Sequence, residues 1–212
     1  MTRPRLVDFF SCAGGAAMGY HQAGWEVAGV DINPQPNYPF EFIQADALEL
    51  LQDPTFLAGF DGIHASPTCQ TRARVTAWRG SRDNHPDTLT PTLAALKAQR
   101  LPWIVENVTE AVVDSTMRAD FILCGTQFGL PVRRHRAFEI GNWSAFELQT
   151  PCDCHRNPRL IPFEHKAERA FADAMGCHWM SAREARQALP PAYTHYLGRL
   201  MLAALAPVEV PA

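Results

Sequence analysis

Two residues at the ends of apolar runs carry side chains suited to covalent chemistry on an electron-poor ring, Cys69 and Glu106. Cys69 lies in Ser66-Pro67-Thr68-Cys69-Gln70, directly after the run Gly62 to Ser66. A cysteine held by proline at a strand end, with a polar loop behind it, faces a ligand crevice rather than the core. Arg72, Arg74, Arg79 and Arg82 follow it against the single acid Asp83. An electropositive setting of that kind favours the reactive thiolate. The structural alternative is a small buried hydrophobe, the commoner fate of a free thiol. Cys12 and Cys124 suit that alternative, and Cys69 does not. Glu106 closes the run Trp103 to Glu106 and precedes Asn107-Val108. If the two strands are neighbours, thiol and carboxyl share one crevice edge. One group would add to a ring carbon while the other protonates a ring nitrogen.

A second set of strand ends suits a nucleoside cofactor. Ligands of open parallel sheets sit at the carboxyl ends of the strands, near the switch point. Phe10-Ser11-Cys12-Ala13-Gly14-Gly15 follows the first strand and opens a helix, whose N-terminal amides can receive a carboxylate. Asp31 ends the second strand and could accept hydrogen bonds from a ribose diol; Asp46 ends the third and could meet an adenine amine. A tight structural turn explains the glycines equally well when they are taken alone. Turn and acids together favour a nucleoside, without choosing among NAD, FAD and S-adenosylmethionine.

The elements that must position these groups alternate short apolar runs with helical stretches, the pattern of a parallel sheet wrapped by helices. Strands are expected at Arg5 to Phe10, Glu26 to Ile32, Phe42 to Ala45, Gly62 to Ser66, Trp103 to Glu106, Phe121 to Cys124 and Ala137 to Ile140. Helices are expected at Ala16 to Ala23, Thr88 to Gln99, Ala167 to Ala174, Ala182 to Leu189 and Ala192 to Ala206. Residues 141–165 lose periodicity and read as a short insert, with C-terminal helices over 166–206. One domain is expected for 212 residues, 47% hydrophobic and 19% charged. The net charge of -3 argues mildly against nucleic acid, although a local basic face can serve on such a protein. No secretory signal opens the chain, and no apolar run approaches the roughly 20 residues of a membrane span. A cytoplasmic monomer with its six cysteines reduced is therefore expected.

These blocks, in this order, resemble the DNA cytosine-C5 methyltransferase family over Leu6 to Phe138. Asp8-Phe9-Phe10-Ser11 through Gly15 is similar to D-L-F-[SA]-G-x-G-G, Pro67-Thr68-Cys69-Gln70 to P-P-C-Q, and Glu106-Asn107-Val108 to E-N-V. Val132-Arg133-Arg134-His135-Arg136 is similar to Q-x-R-x-R. The resemblance implies a Rossmann-like class I S-adenosylmethionine-dependent methyltransferase fold, an α/β architecture with a mostly parallel sheet. It implies S-adenosylmethionine as cofactor, held by Phe10, Ser11, Ala13, Gly14 and Gly15 in the turn. Asp31, Ile32, Asp46, Ala47 and Pro67 would complete that site. Cys69, Glu106, Arg134 and Arg136 would be catalytic, with Gln70, Asn107, Arg72 and Arg74 against the substrate. Cys69 would add to C6 of a cytosine extruded from DNA while Glu106 protonates N3. The methyl group goes to C5, and loss of the C5 proton expels the cysteine.

The chain departs from the pattern at Cys12, Thr68 and Val132, which stand for a glycine, a proline and a glutamine. The closing G-N-[SA]-V is not evident. The insert is far shorter than a usual target-recognition region, as in compact phage-encoded members, which would act in the host cytoplasm. RNA or a free cytosine nucleotide is the alternative substrate, and an inactive binding homologue the third reading. Cys152-Asp153-Cys154-His155, with Cys177-His178 or His165, lacks the paired C-x2-C spacing of strong zinc motifs. These are read as ordinary loop residues, and no metal is expected. Trp78, Trp143 and Trp179 are read as packing residues.

Overall fold

The computed structural model describes residues 2–68, 86–145, 147, 150–156, 160–161 and 168–206. Seven strands form one sheet in the order β3-β2-β1-β4-β5-β7-β6. They are β1 (Arg5–Phe9), β2 (Glu26–Asp31), β3 (Glu41–Gln44), β4 (Gly62–Ala65), β5 (Trp103–Asn107), β6 (Phe121–Leu123) and β7 (Arg136–Gly141). The first five pair in parallel, and β7 runs antiparallel between β5 and β6. This is the Rossmann-like class I arrangement expected from sequence, with its switch point between β1 and β4. Each expected strand is present within a residue or so of its bounds.

Alternation along the strands feeds two cores. Val7 and Phe9 of β1, with Trp103 and Val105 of β5, pack on one face against α4 (Leu89–Lys97) through Leu89, Leu93 and Leu96. Leu6, Ile104 and Phe138 face the other layer, where α1 (Gly15–Ala23) and α8 (Pro191–Leu205) contribute Tyr20, Tyr193 and Leu197. Asp8 and His64 are fully buried in the middle strands, His64 Nε2 lying 3.9 Å from the Asp8 carboxylate. Burial pushes the Asp8 carboxyl well above its usual range and the His64 imidazole down to about 3. The Tyr20 hydroxyl lies 3.0 Å from His64 Nδ1.

Short helices that the sequence reading leaves out sit between these elements: α2 (Ala47–Leu50), α3 (Pro54–Leu57) and α5 (Glu110–Val113). α2 and α3 are capped by Asp46 and Asp53, and Pro54 opens α3. Each is about one turn long, too short for an apolar period to register. The C-terminal segment carries α6 (Glu168–Ala174) and α7 (Ala182–Ala185). α7 is shorter than the stretch to Leu189 expected from sequence.

Helices α1 and α8 touch through small residues. A Cβ on Gly19 would come within 2.1 Å of both the Pro191 carbonyl oxygen and Thr194 Oγ1. Thr194 Oγ1 donates to the Ala16 carbonyl at 2.8 Å across the same seam. Gly19→Ala should therefore lower unfolding stability by about 1–3 kcal/mol, the usual cost of overpacking. At Gly59 an added carbon would meet only ordinary contacts at 3.6 Å, so Gly59→Ala should melt close to wild type. Denaturant titrations of the two variants provide the check.

Candidate active site

The turn after β1 is built around unusual backbone. Phe10 and Cys12 have φ of 59° and 45°, and Gly14 has φ of 81°. A glycine suits the position of Cys12 better, because a left-handed conformation costs an ordinary L-residue roughly 1–2 kcal/mol. The strain is held from several sides. The Cys12 amide donates to Asp31 Oδ2 at 3.0 Å, Ser66 Oγ donates to the Phe10 carbonyl, and Trp179 Nε1 donates to the Ala13 carbonyl at 2.9 Å. Burial, with Asp31 adding to it, pushes the Cys12 thiol up to about 12, which disfavours its thiolate. Ser11 Oγ is buried with no hydrogen-bond partner among the described residues.

Asp31 and Asp46 take the expected places at the ends of β2 and β3, and both also brace backbone. Asp31 Oδ1 accepts from the Asn33 amide at 2.9 Å, while Asp46 Oδ1 accepts from Leu48 N at 2.7 Å as the cap of α2. Ile32 is 63% exposed just beyond Asp31, an apolar side chain left facing solvent beside the acid. Ala47 is buried at the start of α2.

β4 and β5 are neighbours, as the reading of Cys69 and Glu106 requires, with Ala65 opposite Val105. Asn107 Nδ2 donates to the Pro67 carbonyl at 3.0 Å and ties the two strand ends together. Its Oδ1 accepts from the Val108 amide. Thr68 does what the proline of the family pattern cannot: its amide donates to Thr88 Oγ1 at 3.0 Å. The two hydroxyls lie 2.7 Å apart, so the chain is clasped on both sides of residues 69–85. Cys69, Gln70, Arg72, Arg74, Trp78, Arg79 and Arg82 all fall outside the described residues, as does His165.

Glu106 is 8% exposed, and Arg136 Nε donates to its Oε1 at 2.8 Å. Burial raises the Glu106 carboxyl above its ordinary value, while the guanidiniums of Arg136 and Arg134 pull the other way. A carboxyl under these opposed influences can both carry a proton and release one. Arg136 starts β7, which pairs antiparallel with β5 and sets Phe138 opposite Glu106. The Arg134 carbonyl accepts from the Tyr193 hydroxyl at 2.6 Å, and its guanidinium donates to the Arg186 carbonyl. Arg133 is exposed.

No family model matches the chain, and no curated protein sequence matches it. Solved structures do resemble it. A prophage-encoded E. coli protein described as a DNA modification methyltransferase is 20% identical with a TM-score of 0.48, over 65% of this chain and 46% of that one. A DNMT2 mutant from Spodoptera frugiperda is 21% identical with a TM-score of 0.47, over 64% and 48%. The methyltransferase EhMeth of Entamoeba histolytica is 18% identical with a TM-score of 0.47, over 66% and 53%. The chain thus matches about half the length of these structures, and at such scores the likeness says nothing of activity.

Three residues have surroundings that the sequence does not show. Val132, aligned with a family glutamine, is fully buried beside Phe171, Met175 and Cys177 in a third core that also includes Ala13. Cys177 belongs to that core, with its thiol pushed up to about 12 by burial, and His178 stands beside Asp173 instead. Cys124 is buried as expected, yet its neighbours are Cys152, Cys154 and His135. Trp143 and Trp179 pack with their indole N–H groups on backbone carbonyls. Among the described residues no helix is long and apolar enough to cross a membrane.

Proposed function

We propose that the chain is a cytosine-C5 methyltransferase acting on DNA, with Cys69 as nucleophile and Glu106 as acid. The observation that carries this reading is the Glu106–Arg136 pair at the end of β5, beside the strand that leads directly into Pro67-Thr68-Cys69. Glu106 offers a buried carboxyl to N3 of a pyrimidine, and Arg136 fixes its orientation. Cys69 forms a bond to C6, electron density moves to C5, and Glu106 supplies the N3 proton. C5 then forms its new carbon–carbon bond. Loss of the C5 proton restores the double bond and breaks the sulfur–carbon bond.

S-adenosylmethionine would supply an electrophilic methyl group to C5. The residues fit such a group. Ser11 Oγ is a buried donor lacking a partner among the described residues, Asp31 is a buried carboxylate that could receive a ribose diol, and exposed Ile32 offers a purine an apolar surface. Phe10, Ala13, Gly14 and Gly15 would line the turn, with Asp46, Ala47 and Pro67 completing the pocket. Arg134 and Asn107 would join Gln70, Arg72 and Arg74 on the substrate side. The arginine-rich composition after Cys69 favours a phosphate-bearing polymer.

Tritiated methyl transfer from S-adenosylmethionine, measured in parallel on duplex DNA, single-stranded DNA, tRNA and dCMP, tests the reading. Label in C5 of DNA cytosine is expected, with affinity falling steeply with salt at a slope of about -0.7 to -0.9 per phosphate contact. Turnover only on tRNA or on dCMP would move the activity to RNA or to the free nucleotide. No transfer to any of the four would leave a binding protein.

A further inference from the structure

A cluster of soft ligands lies beside the candidate active site and takes no part in the chemistry above. Cys124 follows β6, His135 precedes β7, and Cys152 and Cys154 come from the segment beyond β7. The three sulfurs and one imidazole nitrogen all lie within 4.8 Å of one another. His135 Nε2 is 3.4 Å from Cys152 Sγ and 3.7 Å from Cys154 Sγ, and the two sulfurs are 3.7 Å apart. With Zn–S near 2.3 Å and Zn–N near 2.0–2.1 Å, the edges of a tetrahedron are about 3.8 Å for S···S and about 3.5 Å for S···N. The three edges among His135, Cys152 and Cys154 match these before any metal is placed, and Cys124 Sγ lies within 4.8 Å of each of the three atoms.

We propose that Cys124, His135, Cys152 and Cys154 form a tetrahedral Cys3His structural zinc site. The surroundings support the ligands as a metal site would require. The Gln127 amide donates to Cys124 Sγ within a capping box, and Thr126 Oγ1 lies 3.8 Å from the same sulfur. Gln127 Nε2 also donates to the Thr150 carbonyl, tying the 3-10 turn Gly125–Phe128 to the segment that brings in Cys152. Exposed His155, with its ring 6.5 Å from that of His135, stands outside the tetrahedron. Binding converts three thiols to thiolates and releases three protons while the imidazole stays neutral, leaving a complex of net charge -1. Affinity therefore rises with pH.

The consequence reaches the active site. His135 lies between Arg134 and Arg136, so a metal on its ring would fix the turn from which Arg136 reaches Glu106. It would also pin the short insert after β7 to the sheet. The zinc site stands whether or not the chain transfers methyl groups.

Elemental analysis of tag-free protein, purified under reducing conditions, should find about one zinc per chain. The Cys152→Ser/Cys154→Ser double variant should lose at least about 90% of it, whereas Cys177→Ser should keep it. If the double variant does not fold, the wild-type chain decides the matter. Stripped by chelator, it should take up one equivalent of cobalt(II) with the intense thiolate charge-transfer and d–d absorption of a tetrahedral centre. Zinc-free protein that takes up no cobalt, or a folded double variant that retains its zinc, would overturn the proposal.

Discussion

Replacing Cys69 by serine should lower methyl transfer by on the order of 10⁴-fold or more, the scale on which loss of a covalent nucleophile acts. A serine hydroxyl keeps the shape and loses the thiolate, and at neutral pH it is a far weaker nucleophile. Apart from Pro67, the proposed cofactor groups lie on the turn after β1 and at the ends of β2 and β3, away from residue 69 in the chain. Binding of S-adenosylmethionine, read by calorimetry, should therefore stay within a few-fold of wild type. Cys12→Ser serves as a contrast: with its thiol pushed up to about 12, it should cost no chemistry. A fall in turnover on Cys12→Ser that matched the Cys69 effect would point to the wrong cysteine.

Glu106→Gln carries the second large effect. The amide can still accept from Arg136 Nε, which lies 2.8 Å from Oε1 in the parent, and burial already favours an uncharged group there. Folding should therefore change by only about 1 kcal/mol. The amide cannot deliver a proton to N3. kcat should drop by about 10²–10⁴-fold, the range of a positioned general acid, with KM little altered. The pH profile supplies a sign to check. Because Glu106 must be protonated to act, wild-type kcat should fall as pH rises through its raised value, and this limb should vanish in Glu106→Gln. A variant that keeps the limb would assign it to another group.

Which parts of this arrangement can be read from sequence depends on how local their causes are. Strands β1 and β5 are nearly continuous apolar runs because both of their faces are covered, and such runs are visible without a structure. Asp31 and Glu106 stand out because an acid ends an apolar run. The pairing of Glu106 with Arg136 is not visible that way. It depends on β7 entering the sheet antiparallel beside β5, and a basic run such as Arg133-Arg134-His135-Arg136 reads alone as a solvated turn. The strain at Cys12 is legible only as a departure from a glycine pattern; its cause is a φ of 45°.

The cysteines make the point most sharply. Cys152-Asp153-Cys154-His155 invites a search for partners nearby in sequence, and Cys177 is the nearest cysteine downstream. The fold buries Cys177 in the third core and takes the partners from upstream instead. β6 and β7 pair antiparallel, with Leu123 opposite Arg136, and this register brings Cys124 and His135 side by side. No spacing rule anticipates it, because the two ligands lie just outside a ladder formed by tertiary pairing. Val132 shows the reverse case: a position aligned with a polar motif is taken over by packing.

The most direct test of the central claim is covalent capture. Incubated with S-adenosylmethionine and duplex DNA containing 5-fluorocytosine, the protein cannot lose fluorine as it would a proton, so the enzyme–base bond should persist. Peptide mass spectrometry after digestion should find the methylated fluoropyrimidine on Cys69, with no adduct in Cys69→Ser. An adduct on another residue, or one that survives in Cys69→Ser, would contradict the account.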